Sequence, residues 1–176
     1  KNSFQLVSSL LYLQSENIKN KEASQAITDA QNRVKSMILI HQKMYSKDQL
    51  TGIDTKEYIE DLVKDIIENH TDNSHSVNFH TDVERHILSI ETITSIGLII
   101  NELITNSLKH AFPLSVDQPI IEVHFTKQTD FFVLEVKDNG IGMQQEPKPT
   151  SFGLKLIHAL AKKLKGKITF EIKNGT

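Results

Sequence analysis

The 176-residue chain has no cysteine and no tryptophan, only four prolines and seven glycines, and no excess of either charge: 20 Lys+Arg stand against 22 Asp+Glu, a formal net charge of −2. Without cysteine there is no disulfide framework, no thiolate nucleophile and no cysteine-ligated metal, which fits a reducing compartment. Near-neutral, interspersed charge removes the long-range attraction on which nucleic-acid binders and polybasic membrane anchors depend, so no nucleic-acid partner is expected. No apolar run reaches the roughly 18 to 20 residues of a membrane-spanning helix. The longest, around residues 96–104, is interrupted by Asn101 and Glu102. No secretory signal pattern occurs, and this portion is expected to be cytoplasmic, whether or not the full-length protein is membrane-attached.

What is present is 38% hydrophobic residue content, enough to bury a core in one ordinary domain or in a small domain with a helical appendage. The chain opens at Lys1 in helix-like sequence and closes on Asn174-Gly175-Thr176, a hairpin signal with almost nothing after it, so it reads as a fragment of a longer protein. Over residues 3–17, Phe4, Leu6, Val7, Leu10, Leu11 and Leu13 occupy helical positions that wrap around much of the circumference. A second helix is expected over 21–45, where Ile27, Ala30, Val34, Met37, Ile38, His41, Met44 and Tyr45 recur at three- and four-residue steps. Two helices cannot cover that much apolar surface alone, and pairing two identical hairpins into a four-helix bundle solves the problem. A homodimer through residues 1–46 is the expectation, with packing of the hairpin onto its own chain as the alternative.

Residues 47–54, polar and containing Gly52, read as a linker. Beyond it the pattern predicts helices over 55–69, 90–111 and 153–165, and strands over 77–80, 120–126, 131–137 and 167–173. Ile121, Val123 and Phe125 face one way, while Phe132, Leu134 and Val136 form a second apolar face. The resulting plan is α+β, with helices collected on one side of a mixed, largely antiparallel sheet.

Three short constellations carry chemistry. On the long helix, Glu102, Asn106, Lys109 and His110 sit at i, i+4, i+7 and i+8, so they share a face opposite Ile96, Ile100, Leu103 and Ile104. Mg²⁺ takes oxygen ligands and keeps waters and phosphates, so an Asn with a nearby Glu suffices for the protein's share, and a Lys supplies charge for phosphate. A solvated helix face is the plainer alternative. In Asp138-Asn139-Gly140-Ile141-Gly142-Met143, the Asp at a strand end can accept a hydrogen bond from an exocyclic amine, and Gly140 and Gly142 allow the backbone to approach a flat ligand. The same residues also suit an ordinary Asp-Asn-Gly turn. Finally, Gly153-Leu154-Lys155-Leu156 stands at an expected helix start, where backbone N–H groups favour phosphate or simply take a cap.

Taken in this order and spacing, Asn-Glu-Leu-x-x-Asn-x-x-Lys-His-Ala, strand-Asp-x-Gly-x-Gly-Met and Gly-Leu-x-Leu resemble the N, G1 and G2 boxes of the Bergerat-fold (GHKL-type) ATPases, which include gyrase and the histidine kinases. The match covers about residues 58–175. The N-terminal hairpin narrows it: Lys1-Asn2 followed by Ser9-Leu10-Leu11-x-Leu13-Gln14 is similar to the dimerisation and phosphoacceptor helix of two-component sensor histidine kinases whose H box reads His-Arg-x-Lys-Asn. In that alignment the phosphorylated His falls three residues before Lys1.

The resemblance implies a dimerisation and phosphotransfer hairpin over 1–50 and a two-layer Bergerat ATP-binding domain over 54–176. It further implies ATP and Mg²⁺ as cofactors, an upstream sensor domain, and a response-regulator receiver domain as partner. Carried over, Asn106 ligates Mg²⁺ and Glu102 supports the metal or its water. Lys109 meets phosphate, and His110 lines the nucleotide pocket. Asp138 binds the adenine amino group, Gly140 and Gly142 shape the pocket, and Gly153 with Leu154 closes the lid side. Glu102, Asn106 and Lys109 are the expected catalytic residues.

The stretch 143–152 departs from the family: it is short, contains Pro147 and Pro149, and keeps only Gly153 of a fuller Gly-x-Gly. Two other readings stand beside the kinase, a Bergerat-fold serine kinase of the anti-sigma type and a non-catalytic dimeric nucleotide-binding scaffold. His70, His75, His80 and His86 place no pair on one face and suggest no metal site. His41 belongs to the helical seam, and His124 and His158 are surface positions. Sedimentation equilibrium at micromolar concentration is expected to return the mass of two chains; the mass of one chain would remove the four-helix bundle.

Overall fold

A computed structural model of the chain describes residues 52–70, 77–113, 116–142 and 152–171, together with Asn20, Ala23, Ile27, Ala30, Gln31, Val34 and Ile38. The chain divides into two compact units, Lys1–Gly52 and Ile53–Thr176. In the first, Asn20 is exposed and non-helical, and its side-chain oxygen accepts the Ala23 N–H at 3.3 Å, the geometry of an N-cap. Ala23, Ile27, Ala30, Val34 and Ile38 are helical and half-buried, one stripe at three- and four-residue steps. The first expected helix over 3–17 lies outside the described residues, as do the seam positions Met37, His41, Met44 and Tyr45. His75, residues 143–151 and the 174–176 turn lie outside them too.

The second unit runs β1 (Ile53–Asp54), α1 (Thr55–His70), β2 (Asn78–Val83), β3 (Ile87–Leu88), α2 (Ile90–His110), β4 (Ile120–Lys127), β5 (Phe132–Asp138) and α3 (Phe152–Lys163). Helix α1 starts because Asp54 Oδ1 accepts the N–H groups of Lys56 at 2.9 Å and Glu57 at 3.3 Å, while its other oxygen meets Arg85 Nε at 3.0 Å. Thr55 is fully buried and makes three hydrogen bonds. Its N–H donates to His86 O at 2.9 Å, its hydroxyl donates to Glu84 O at 2.7 Å, and the same oxygen accepts the His86 N–H at 2.8 Å. The turn between β2 and β3 is thereby tied to the first residue of α1, with the buried hydroxyl both donating and accepting. Helix α2 is capped by Ser89, whose hydroxyl accepts the Thr92 N–H at 3.2 Å, and its last turn carries Lys109, whose charge favours the helix C-terminus, and His110.

The main sheet has the order β2-β4-β5, with β2 and β4 parallel and β4 and β5 antiparallel; β1 and β3 form a separate antiparallel pair. Antiparallel pairing therefore does not dominate the three-stranded sheet, because β2 enters beside β4 in the same direction. Ile121, Val123 and Phe125 are buried, as their alternation requires. Val136 lies opposite Val123, and Leu134 opposite Phe125. Directly paired residues point to the same side, so these rows share one inward face instead of forming a second one. Phe132 completes it, stacking on Phe125 with ring centroids 5.3 Å apart.

The opposite face is polar, and His124 occupies its middle strand. Its ring lies 3.9 Å from Asp82 Oδ2 and 3.7 Å from Glu122 Oε2, with His80 edge-on at 6.5 Å. Flanking strands on both sides leave it half-buried, unlike the surface position expected of it. His158 is exposed on α3.

The inward faces of the helices close the core. Tyr58, Ile59, Leu62, Val63, Ile66 and Ile67 of α1 are all buried, as are Ile93, Ile96, Ile100 and Ile104 of α2. Helix α3 packs on α2 and is pinned at its last turn by Lys163 Nζ, 2.9 Å from Glu91 Oε1 in the first turn of α2. This bond holds the Glu91 carboxyl below its ordinary pKa. The C-terminus of α3 closes with Lys165 N–H on Lys162 O at 3.0 Å and Gly166 N–H on Ala161 O at 2.8 Å, around a left-handed Lys165 (φ 57). The expected last strand does not form over the described residues 167–171. Half-buried Ile168 and Phe170 still alternate with exposed neighbours, but alternation supplies no hydrogen-bonded partner strand. No helix among the described residues is long and apolar enough to cross a membrane.

Tyr58 shows how tightly the helices meet. It is 1% exposed, its hydroxyl has no hydrogen-bond partner among the described residues, and a Cβ on Gly97 would overlap that hydroxyl and lie 3.0 Å from Cζ. Burial raises the phenol's pKa well above its ordinary value. Since the folded pKa exceeds the unfolded one, the contribution to stability is complete below about pH 10 and is lost as pH rises past it. In urea unfolding, Tyr58→Phe is expected to raise stability by about 1 kcal/mol and to flatten this alkaline loss. Gly97→Ala is expected to lower stability by roughly 1 to 3 kcal/mol, less in the Tyr58→Phe background.

Candidate functional site

The second half of α2 carries most of the candidate residues. Glu102 is only 4% exposed, and Asn101 and Thr105 are buried beside it, so the helix is enclosed at this level and beyond it opens to solvent only in its last turn. An ionisable group so enclosed needs partners. Neither Glu102 nor Asn101 is without one. The Thr105 hydroxyl is buried with no partner among the described residues. Asn106 and Ser107 are half-buried, and Lys109 and His110 are exposed in the last turn.

Strand β5 delivers Asp138 to this helix. The Ser107 hydroxyl donates to Asp138 Oδ2 at 2.7 Å, and the Gly140 N–H donates to Oδ1 at 3.1 Å, so each carboxylate oxygen is held by one donor. Asn139 does the work of the turn. Its side-chain oxygen accepts the Ile120 N–H at 2.8 Å, and its amide donates to Gln118 O at 3.0 Å, locking the segment to the start of β4.

Gly140 is buried against the end of α2. A Cβ there would overlap the Ala111 carbonyl oxygen and lie 2.5 Å from Ala111 Cβ and 2.8 Å from its carbonyl carbon. The Ile141 N–H donates to the same carbonyl at 3.0 Å. The close approach that Gly140 permits is thus to Ala111, where the sequence suggested a flat ligand. Gly142 has φ 68, the left-handed region in which a side chain is strained.

The tertiary structure therefore brings Asp138 and Gly140 to the end of α2, the helix that also carries Glu102, Asn106, Lys109 and His110. Gly153 and Leu154 lie in the first turn of α3, half-buried, at the end of that helix away from the Lys163–Glu91 pair. Ser107, Asn139 and Ala111 were not singled out by the sequence. Ser107 follows Asn106 directly, but nothing local announces a partner 31 residues away.

Glu102 and Asn106 stand one turn apart on α2; a carboxylate and an amide oxygen are donor types that Mg²⁺ takes, and half-buried Asn106 is the more accessible of the two. Among the described residues no group of three or more His, Asp or Glu is gathered for a metal. His86 has structural neighbours: its Nε2 lies 3.1 Å from Glu84 Oε2, and its ring packs edge-on against Phe132 at 5.1 Å. Hydrogen bonds from the Lys127 N–H and from His86 hold the Glu84 carboxyl below its ordinary pKa.

Residues 1–70 match the family described as histidine kinase, and residues 91–176 match that described as histidine kinase-, DNA gyrase B- and HSP90-like ATPase. The chain belongs to the histidine kinases. It is 24% identical over 164 residues to the sensor histidine kinase PdtaS of Mycobacterium tuberculosis, covering 91% of this chain and 32% of that protein, and equally similar to PdtaS of Mycolicibacterium smegmatis. This histidine kinase chain thus spans about a third of the length of the curated relatives it matches.

Among solved structures it aligns with the histidine kinase domain of the Erythrobacter litoralis EL346 blue-light activated histidine kinase at a TM-score of 0.74 and 17% identity, covering 99% of this chain and 90% of that one. It aligns with the Acinetobacter baumannii histidine kinase AdeS at a TM-score of 0.58 and 14% identity, covering 99% and 91%. At such identities the likeness is one of fold. The second segment of this histidine kinase is an ATP-binding domain of the GHKL type.

Gly140→Ala tests the junction. Overlap with backbone and Cβ at Ala111, with no flexible side chain to yield, is expected to cost about 2 to 3 kcal/mol in urea unfolding and to weaken ATP binding in calorimetry.

Proposed function

We propose that the chain is the catalytic core of a sensor histidine kinase, in which residues 1–50 form a dimerisation and phosphotransfer hairpin and residues 54–176 bind ATP. Two such hairpins join through residues 1–46, an upstream sensor domain controls the core, and a response-regulator receiver domain takes the phosphoryl group. The observation that carries this reading is the junction between Asp138 and the last turn of α2, in a chain whose two segments match a histidine kinase family and the ATPase family that histidine kinases share with DNA gyrase B and HSP90. An ionised carboxylate only accepts, so Asp138 suits the exocyclic amine of adenine. Lys109 meets the phosphates, His110 lines the pocket, Gly140 and Gly142 shape it, and Gly153 with Leu154 forms its lid side. Asn106, supported by Glu102, holds Mg²⁺, which when bound neutralises phosphate charge.

The reaction is an in-line displacement. A nitrogen of the acceptor imidazole, three residues before Lys1, forms a bond to the γ-phosphorus as the bond to the bridging oxygen of ADP breaks. ADP leaves with the electron pair of the broken bond, and the phosphoimidazolium so formed passes its remaining N–H proton to solvent water. The protein's share is positioning and charge neutralisation. The phosphoryl group then passes from imidazole to an Asp carboxylate of the regulator.

A chain extended upstream through the acceptor His, incubated with γ-labelled Mg-ATP, is expected to take up acid-labile, alkali-stable label, and its Asn106→Ala variant to take up none. Acid-stable label would point to a serine kinase, and no label with nucleotide still bound would leave a binding-only scaffold.

A further inference from the structure

Asp138 stands at an exposed strand end, where a carboxylate is free to turn about two torsions, yet both of its oxygens are engaged. The Gly140 N–H at 3.1 Å comes from the same turn and is available to any Asp-x-Gly segment. The Ser107 hydroxyl at 2.7 Å is the second, shorter bond, and it comes from the last turn of another element, where the Ser107 carbonyl takes the Ala111 N–H. A carboxylate oxygen has two acceptor sites, so each keeps one after these bonds.

We propose that Ser107 is a positioning residue for base recognition: by holding Asp138 Oδ2 it aims the remaining acceptor site at an exocyclic amine and sets the preference for adenine over guanine nucleotides. The inference rests on the reading of this site as the nucleotide site. Adenine carries an amine donor where guanine carries a carbonyl oxygen. A fixed carboxylate rejects that carbonyl, since two acceptors face each other and one is left unpaired in the complex. A carboxylate free to swing can instead follow the ring N–H and the 2-amino group of guanine. Ser107 has no contact with the chemistry of transfer, and its effect runs through Asp138 alone. The plainer role, a staple between α2 and β5, would act on stability and on every nucleotide alike.

The experiment measures ADP and GDP binding to the 176-residue chain in the presence of Mg²⁺ by calorimetry, for the parent, Ser107→Ala and Ser107→Thr, with the urea midpoint of each recorded. The expected result is an ADP affinity about tenfold weaker in Ser107→Ala, equivalent to about 1.4 kcal/mol, with GDP little changed and the ADP-to-GDP ratio reduced accordingly. Ser107→Thr, which keeps the hydroxyl, is expected to retain the parent ratio. An unchanged ratio in Ser107→Ala, whether both affinities hold or both fall together, overturns the proposal. A parent chain that binds neither nucleotide overturns the site reading and this inference with it, and differs plainly from a parent that binds ADP while Ser107→Ala binds it equally well.

Discussion

Where α2 ends, the Ala111 backbone and the buried Gly140 lie so close that no Cβ fits between them, and the candidate site hangs on that contact. It fixes the end of β5 against the end of the helix, and the Ile141 N–H seals it by satisfying a carbonyl that the helix cannot. Asp138 is two residues from Gly140 and inherits its position from this contact. From there it reaches Ser107, so a steric constraint between two backbones becomes the orientation of a carboxylate.

The same economy operates at the other end of the unit. Thr55 ties the β2–β3 turn to the start of α1 through three hydrogen bonds, and one turn further on Tyr58 fills the space left by Gly97. Both contacts hold α1 in place, the first to the sheet connection and the second to α2. The Lys163–Glu91 pair adds α3 at the first turn of α2, but it is exposed and worth little by itself; apolar packing, with Ile157 and Ala161 buried on α3, carries that contact. Helix α2 is therefore the member against which α1, α3 and β5 are all set, and it is also the helix that bears Glu102, Asn106, Lys109 and His110.

Much of this was legible in local sequence because it is locally encoded. The stripe from Tyr58 to Ile67 and the alternation of Ile121, Val123 and Phe125 repeat with the period of their own element, and a periodic apolar row has only one side to bury. Other expectations needed information that periodicity does not hold. Phe132, Leu134 and Val136 read as a second face because their side depends on register with β4, which no single strand specifies. Residues 167–171 read as a strand because their side chains alternate, whereas a strand exists only through a neighbour's hydrogen bonds. His124 read as exposed because its own strand is amphipathic, and its burial comes from the strands on either side.

By itself the sequence determined the histidine kinase family, the buried stripe of α1 and the buried row of β4, and the order and spacing of the residues around the site, since each is a property of contiguous segments. The tertiary structure alone decided that Glu102 is buried, that Gly140 makes room for Ala111 and that Ser107 grips Asp138. Those pairs lie tens of residues apart in the chain. Their meeting depends on how a helix end and a strand end are docked, and docking is set by summed packing over the whole unit, to which no local pattern has access.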